Sequence, residues 1–133
     1  MSNLLHVPPT ADYPTPPISS AVRAGDLVFV SGTPGFNPDG TLEAIFAGQF
    51  ARAVEELARV MIAAGGSIRD IVKVNVLLTR ETDVPEMNRL YSHAFGPTPF
   101  PARTTSVVAA LPHPQMLLEL EATAVIQLTG TRG

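Results

Sequence analysis

Arg103 stands early in the run TPFPARTTSVV (98–108), just after two prolines in three residues, and is the only charged residue of that run. A guanidinium is planar and always charged, and its fork of N–H donors matches a carboxylate or phosphate in bidentate fashion. Arg103 is therefore either a clamp for an anionic ligand or half of a strand-edge ion pair with an acid such as Glu119.

Glu119 and Glu121 are spaced i, i+2 in the apolar segment LELEATAV, which puts both carboxylates on one face of a strand. In a dry pocket one of the pair could hold a proton and serve water as general base and acid. In the open they would be two solvated surface acids, the usual fate of glutamate. Ser31-Gly32 closes an earlier apolar run. A glycine there allows a ligand close to the backbone, or simply marks a strand exit. In Asn88-Arg89-Leu90-Tyr91, the polar residues could support a site while Tyr91 packs in the core. Lys73, the single lysine, could form a Schiff base only if desolvated, and otherwise reads as a ladder-edge or interface charge. Thr104, Thr105 and Ser106 have no histidine beside them to act as base, so no serine-type nucleophile is expected. There is no cysteine, and His6, His93 and His113 stand apart without ligand spacing, so no metal site or thiolate chemistry is expected.

The elements that must position these residues follow from periodicity. Residues 1–17 carry five prolines and read as an extended arm, fixed only if it docks. ISSAVRAGDLVFVSG gives two short strands about a turn at Ala24-Gly25-Asp26. TPGFNPDGTL is a loop with Asp39-Gly40 as a turn pair. Over 47–64, Phe50, Ala53, Val54, Leu57, Val60 and Met61 follow a helical period, and Gly65-Gly66 supplies the stop. Val72, Val74, Val76 and Leu78 alternate with Lys73, Asn75, Leu77 and Thr79 as a central strand. Pro85 opens a shorter helix, after Thr82 or Asp83 as cap, with Met87, Leu90, Tyr91 and Phe95 on its apolar face. Residues 103–110 and 117–128 are the last strands, the latter with Leu118, Leu120, Ala122, Ala124 and Ile126 on one side and both glutamates on the other. The predicted order, β-β-α-β-α-β-β, is an α+β fold: a mixed sheet with two helices packed on one face. A domain over 18–128 lies between the arm and a tail at 129–133.

Composition bounds the partners. The 133 residues suit one domain; they are 45% apolar and only 16% charged, with mean hydropathy +0.20. A lone small domain usually carries more charge on its surface. The sheet face away from the helices must carry Leu77, Val125 and part of the Val28–Val30 run, and a second copy is the simplest cover. A net charge of −3 gives no basic field for nucleic acid. No apolar run reaches membrane-spanning length, and MSNLLHVPPTADYPTPP lacks the basic start and apolar core of a signal peptide. A cytoplasmic protein without nucleic-acid or membrane partners is expected.

Taken together, AVRAGDLVFVSG, IVKVNVLLT, MNRLYSHAFG, FPARTTSVVAALP and LELEATAV resemble the Rid/YjgF family of reactive intermediate deaminases, over roughly 18–125. The resemblance implies a fold like bacillus-type chorismate mutase. It also implies a homotrimer whose sheets line a central barrel, with three clefts between subunits. The implied activity is hydrolysis of enamines and imines, 2-imino acids among them, to 2-oxo acids and ammonia, with neither cofactor nor metal. Arg103 matches the arginine that binds the substrate carboxylate. Glu119 matches the glutamate that positions water. Gly32 matches the loop whose backbone borders the cleft, and Asn88 a recurrent helix asparagine near the site.

This chain departs from the family pattern around that pocket. Pro16-Pro17-Ile18 stands where a Gly-Pro-Tyr is common, with Tyr13 of the arm as a possible substitute aromatic. Thr33 replaces the glutamine of SGQ, Thr105 a frequent cysteine, and Glu56 a helix asparagine. Ile18, Thr33 and Thr105 therefore join Arg103, Gly32 and Asn88 as candidate substrate contacts. Two other functions remain beside deamination. One is non-enzymatic binding of a small carboxylate metabolite, with regulation of a partner. The other is the ribonuclease or translation-inhibitor activity also attached to the family, which the net charge disfavours.

Overall fold

The start of the arm docks on the sheet edge and buries Val7. In a computed structural model describing residues 3–127, β1 (Leu4–Val7) pairs antiparallel with β2 (Ala21–Ala24), and Val7 is buried. The strand order β1-β2-β3-β6-β4-β5 is completed by β3 (Leu27–Thr33), β4 (Ile71–Leu78), β5 (Ala102–Val107) and β6 (Leu118–Val125). Only β4 and β5 run parallel, joined by the crossover that contains α2 (Val84–Phe95). The expected mixed α+β sheet is present, with one strand more than the sequence pattern indicated.

The first helix, α1 (Phe46–Ala63), buries Phe46, Phe50, Ala53, Leu57, Val60 and Met61. It ends as its glycines require. Gly65 has φ +95, and its N–H donates to Ile62 O while that of Gly66 donates to Met61 O, the pairing of a Schellman motif. In α2, Met87, Tyr91 and Phe95 face the core and Leu90 is partly buried. Asp83 precedes α2 but makes no side-chain cap. Its carboxylate instead accepts from Arg80 Nε and Nη2 at 2.8 and 3.1 Å.

Both helices pack on the sheet face formed by Val28, Val30, Val74, Val76, Leu78, Leu118, Leu120, Ala122 and Ala124, all buried. Removing a side chain such as Leu57 from this layer would cost about 2–5 kcal/mol. Three sequence expectations need correction. The pairing of β4 with β6 is irregular between Ile71 and Lys73, so Ile71 turns inward and Val72 is exposed. β5 ends at Val107, short of 110. β6 spans Leu118–Val125, and Leu128 and the tail at 129–133 lie outside the described residues.

The other sheet face is open in the single chain. Phe29 is 49% exposed and Leu27 41%. Leu27 pairs with Val125 and Phe29 with Thr123, and Lys73, Asn75 and Leu77 face the same way, opposite Thr123, Glu121 and Glu119. Among the described residues no helix is long and apolar enough to cross a membrane.

Candidate functional site

Arg103 is the second residue of the edge strand β5, where it pairs with Val74. Strand alternation gives it the inward phase of Val74, so its long side chain meets α2. Its Nη2 donates to Asn88 Oδ1 at 2.7 Å, and Nη1 lies 3.7 Å from Met87 Sδ. The guanidinium carbon sits 4.7 Å from the centre of the Tyr91 ring, inside the range of a cation–π contact. All these partners are neutral. Among the described residues no carboxylate lies within ion-pair distance of Arg103; Arg52, Arg59, Arg80 and Arg89 each hold one, and Arg23 and Arg69 rest on backbone carbonyls. The strand-edge ion pair with Glu119 does not form. Arg103 keeps a net positive charge at an exposed edge with N–H donors to spare.

Glu119 belongs to the opposite face. It pairs with Leu77 on β4, is half-buried, and lies against Gly32. A Cβ on Gly32 would fall 2.8 Å from both the Glu119 carboxyl carbon and Oε2. Glycine at this point is thus what lets the carboxylate lie on the β3 backbone. Burial, and secondarily the charge of Glu121, raise the Glu119 pKa above the usual carboxylate range. Glu121 is itself held by a short hydrogen bond from Asn75 Nδ2. The spacing of the two acids therefore produces one poised carboxyl and one fixed, exposed charge beside it.

The other candidates are divided between these two places. Asn88 and Thr105 share the Arg103 side, with Thr105 pairing with Val76. Gly32 is on the Glu119 side. Thr33 is buried, its hydroxyl donating to Ser31 O at 2.8 Å. Ile18 is 46% exposed ahead of β2, and its N–H donates to Pro16 O. Tyr13 is engaged elsewhere, edge-on to Phe36 at 5.4 Å and against Gly40. Lys73 Nζ donates to Thr104 Oγ1 at 2.7 Å on the exposed face, the ladder-edge role of an ordinary lysine. Among the described residues no group of three or more metal-ligating side chains gathers.

Sequence reasoning missed three contributors. The helical period shows Tyr91 only as a core residue, yet its ring also carries Arg103. Met87 has the same double role. The spacing of positions 87, 88 and 91 was the available signal, since it makes one patch on a helix. Gln49 is fully buried within α1. Its Nε2 donates to Glu43 O and Gln115 O, and its Oε1 accepts from the Leu117 N–H. It thereby ties the loop before α1 to the segment entering β6.

Residues 9–126 match a protein-family model described as Endoribonuclease L-PSP. A RutC family protein of Sinorhizobium fredii is 38% identical over 120 residues, covering 85% of this chain and 88% of that protein. The 2-iminobutanoate/2-iminopropanoate deaminase of Dermatophagoides farinae is 33% identical over 121 residues, 90% of this chain and 93% of that one. The crystal structure of RidA from an Antarctic Psychrobacter superposes with TM-score 0.81 at 35% identity, over 87% of this chain and 94% of that one.

Proposed function

We propose, for a chain that belongs to the endoribonuclease L-PSP family, the Rid/YjgF proteins, that it hydrolyses small 2-imino acids and their enamine tautomers to 2-oxo acids and ammonia. The observation that carries this reading is the un-neutralised guanidinium of Arg103, held at an edge by neutral partners only. Such a group is suited to a carboxylate-bearing small molecule. The name of the D. farinae relative gives the substrate class.

The working site forms between copies. Within one chain the sheet separates Arg103 from Glu119, and a single small substrate cannot touch both. A homotrimer that covers the face bearing Leu27 and Phe29 would bring Glu119 of one subunit to Arg103 of the next. That arrangement leaves a cleft bordered by Gly32, Thr33, Ile18, Asn88 and Thr105.

The chemistry then needs only these residues and water. Arg103 holds the substrate carboxylate and sets the orientation of the protonated imine, C=NH2+. Glu119, ionised, accepts a proton from water as the water oxygen bonds to the imine carbon, and the C=N π pair moves to nitrogen. This yields a neutral carbinolamine. Glu119 returns its proton to the amine, the C–N bond breaks, and the hydroxyl oxygen forms C=O. The hydroxyl proton passes to the departing ammonia. Imine cation and water have become 2-oxo acid and ammonium. A raised Glu119 pKa suits a group that must both take and return a proton. Orientation and fixed charge supply the acceleration.

The test is decay of 2-iminobutanoate, generated in place from threonine by a dehydratase, followed with wild type, Arg103→Ala and Glu119→Gln. Acceleration by wild type alone supports the reading. No acceleration by wild type, with binding of 2-oxobutanoate retained, would replace it with a carboxylate-binding protein. Equal acceleration by wild type and Arg103→Ala would remove the clamp from the mechanism.

A further inference from the structure

Tyr91 is a core residue whose ring also meets the guanidinium of Arg103. It is 4% exposed, and its buried hydroxyl has no hydrogen-bond partner among the described residues. Leaving such a group unpaired costs stability, so phenylalanine would serve the core better. On one side the ring is braced by Phe95, with centroids 4.4 Å apart and planes 26° apart. The Arg103 guanidinium carbon lies 4.7 Å from its centroid. Phe95 is itself buried, so the ring is fixed within the core and acts as a rigid platform.

We infer that Tyr91 is a positioning residue for Arg103, its ring face holding the guanidinium in the orientation that receives the substrate carboxylate. The inference rests on the reading of Arg103 as the carboxylate clamp. Three constraints from one helix patch act on the guanidinium together: the Tyr91 ring, Asn88 Oδ1 on Nη2 and Met87 Sδ near Nη1. An arginine on an exposed strand edge would otherwise sample many rotamers and lose that freedom on binding. Fixing it beforehand lowers the cost of capture. Two of the five N–H donors are engaged by α2, which leaves donors for a bidentate partner. The attraction follows the negative charge on the ring face. Ring electronics at position 91 therefore govern ligand affinity even where ring shape is kept.

The experiment uses the full chain and the product analogue 2-oxobutanoate, with affinity read by calorimetry. The series starts from Tyr91→Phe, which removes only the unpartnered hydroxyl and keeps the ring face, and affinities are read relative to it. Phenylalanines bearing one, two and three ring fluorines are then placed at 91. Shape is nearly constant along this series while the ring face loses its negative charge. Affinity is expected to fall stepwise, by about 5–10-fold over the series. A flat series in the Arg103 protein would overturn the positioning role and leave the clamp intact. Undiminished binding by Arg103→Ala itself would overturn the clamp, and this inference with it.

Discussion

Arg103 and Glu119 leave opposite faces of one sheet. Arg103 shares the phase of Val74, and Glu119 that of Leu77, three residues further along β4. The shared-site proposal therefore makes a distinctive prediction. Arg103→Ala and Glu119→Gln should each be nearly inactive alone. Subunits of the two, mixed by unfolding and refolding together, should regain a substantial minority of wild-type activity, because some clefts then carry both intact residues. Mixed protein as inactive as its parents would show that one chain supplies both groups.

Gly32→Ala should separate folding from chemistry. The added Cβ meets the end of the flexible Glu119 side chain, which can swing aside without moving backbone. The expected result is a folded protein with nearly unchanged melting temperature and kcat lower by about 10–100-fold, the usual cost of displacing a reacting group by about an ångström. Thermal melts alongside the imine-decay assay check it. A large fall in melting temperature would mean that Gly32 serves the fold instead.

Glu119 links activity and stability to pH. In the proposed mechanism Glu119 must be ionised to accept the proton, so kcat/KM should rise as pH rises through its raised pKa. Burial is the larger cause of that rise and Glu121 the smaller. Glu121→Gln should thus move this acidic limb to lower pH without returning it to the ordinary carboxylate range. The stability sign is opposite to that of an ion-paired carboxylate. A folded pKa above the unfolded one favours the protonated native state, and that stability is lost as pH rises through the folded value. Glu119→Gln should therefore be more stable than wild type at pH 7, with the difference closing as pH falls below the unfolded carboxylate range. A wild type more stable than the variant at pH 7 would contradict this account.

Gln49→Leu removes the tie between two loops and strands the Leu117 N–H and the Glu43 and Gln115 carbonyls. At about 1–3 kcal/mol for a buried group left unsatisfied, a loss of about 2–4 kcal/mol is expected, since the segment can relax toward water. Denaturant unfolding measures it. A change below about 0.5 kcal/mol would mean that the loops find other partners.

The sequence by itself determined most of the elements and most of their faces. The helical period of 47–64, the strand period of LELEATAV and the stop at Gly65 are local, and each residue needs only its neighbours along the chain to express them. The types of the candidate groups were equally legible: an isolated arginine after prolines, two glutamates on one strand face, and a glycine at a strand end. What only the tertiary structure decided depends on non-local pairing. The irregularity between Ile71 and Lys73 exchanges which of Ile71 and Val72 points inward, and β2 gives Leu4–Val7 an edge to join. Tyr91 becomes both core and platform because β5 runs parallel to β4 and lays Arg103 across α2. Strand register, which periodicity along the chain does not set, places the two charged groups on opposite sides of the sheet.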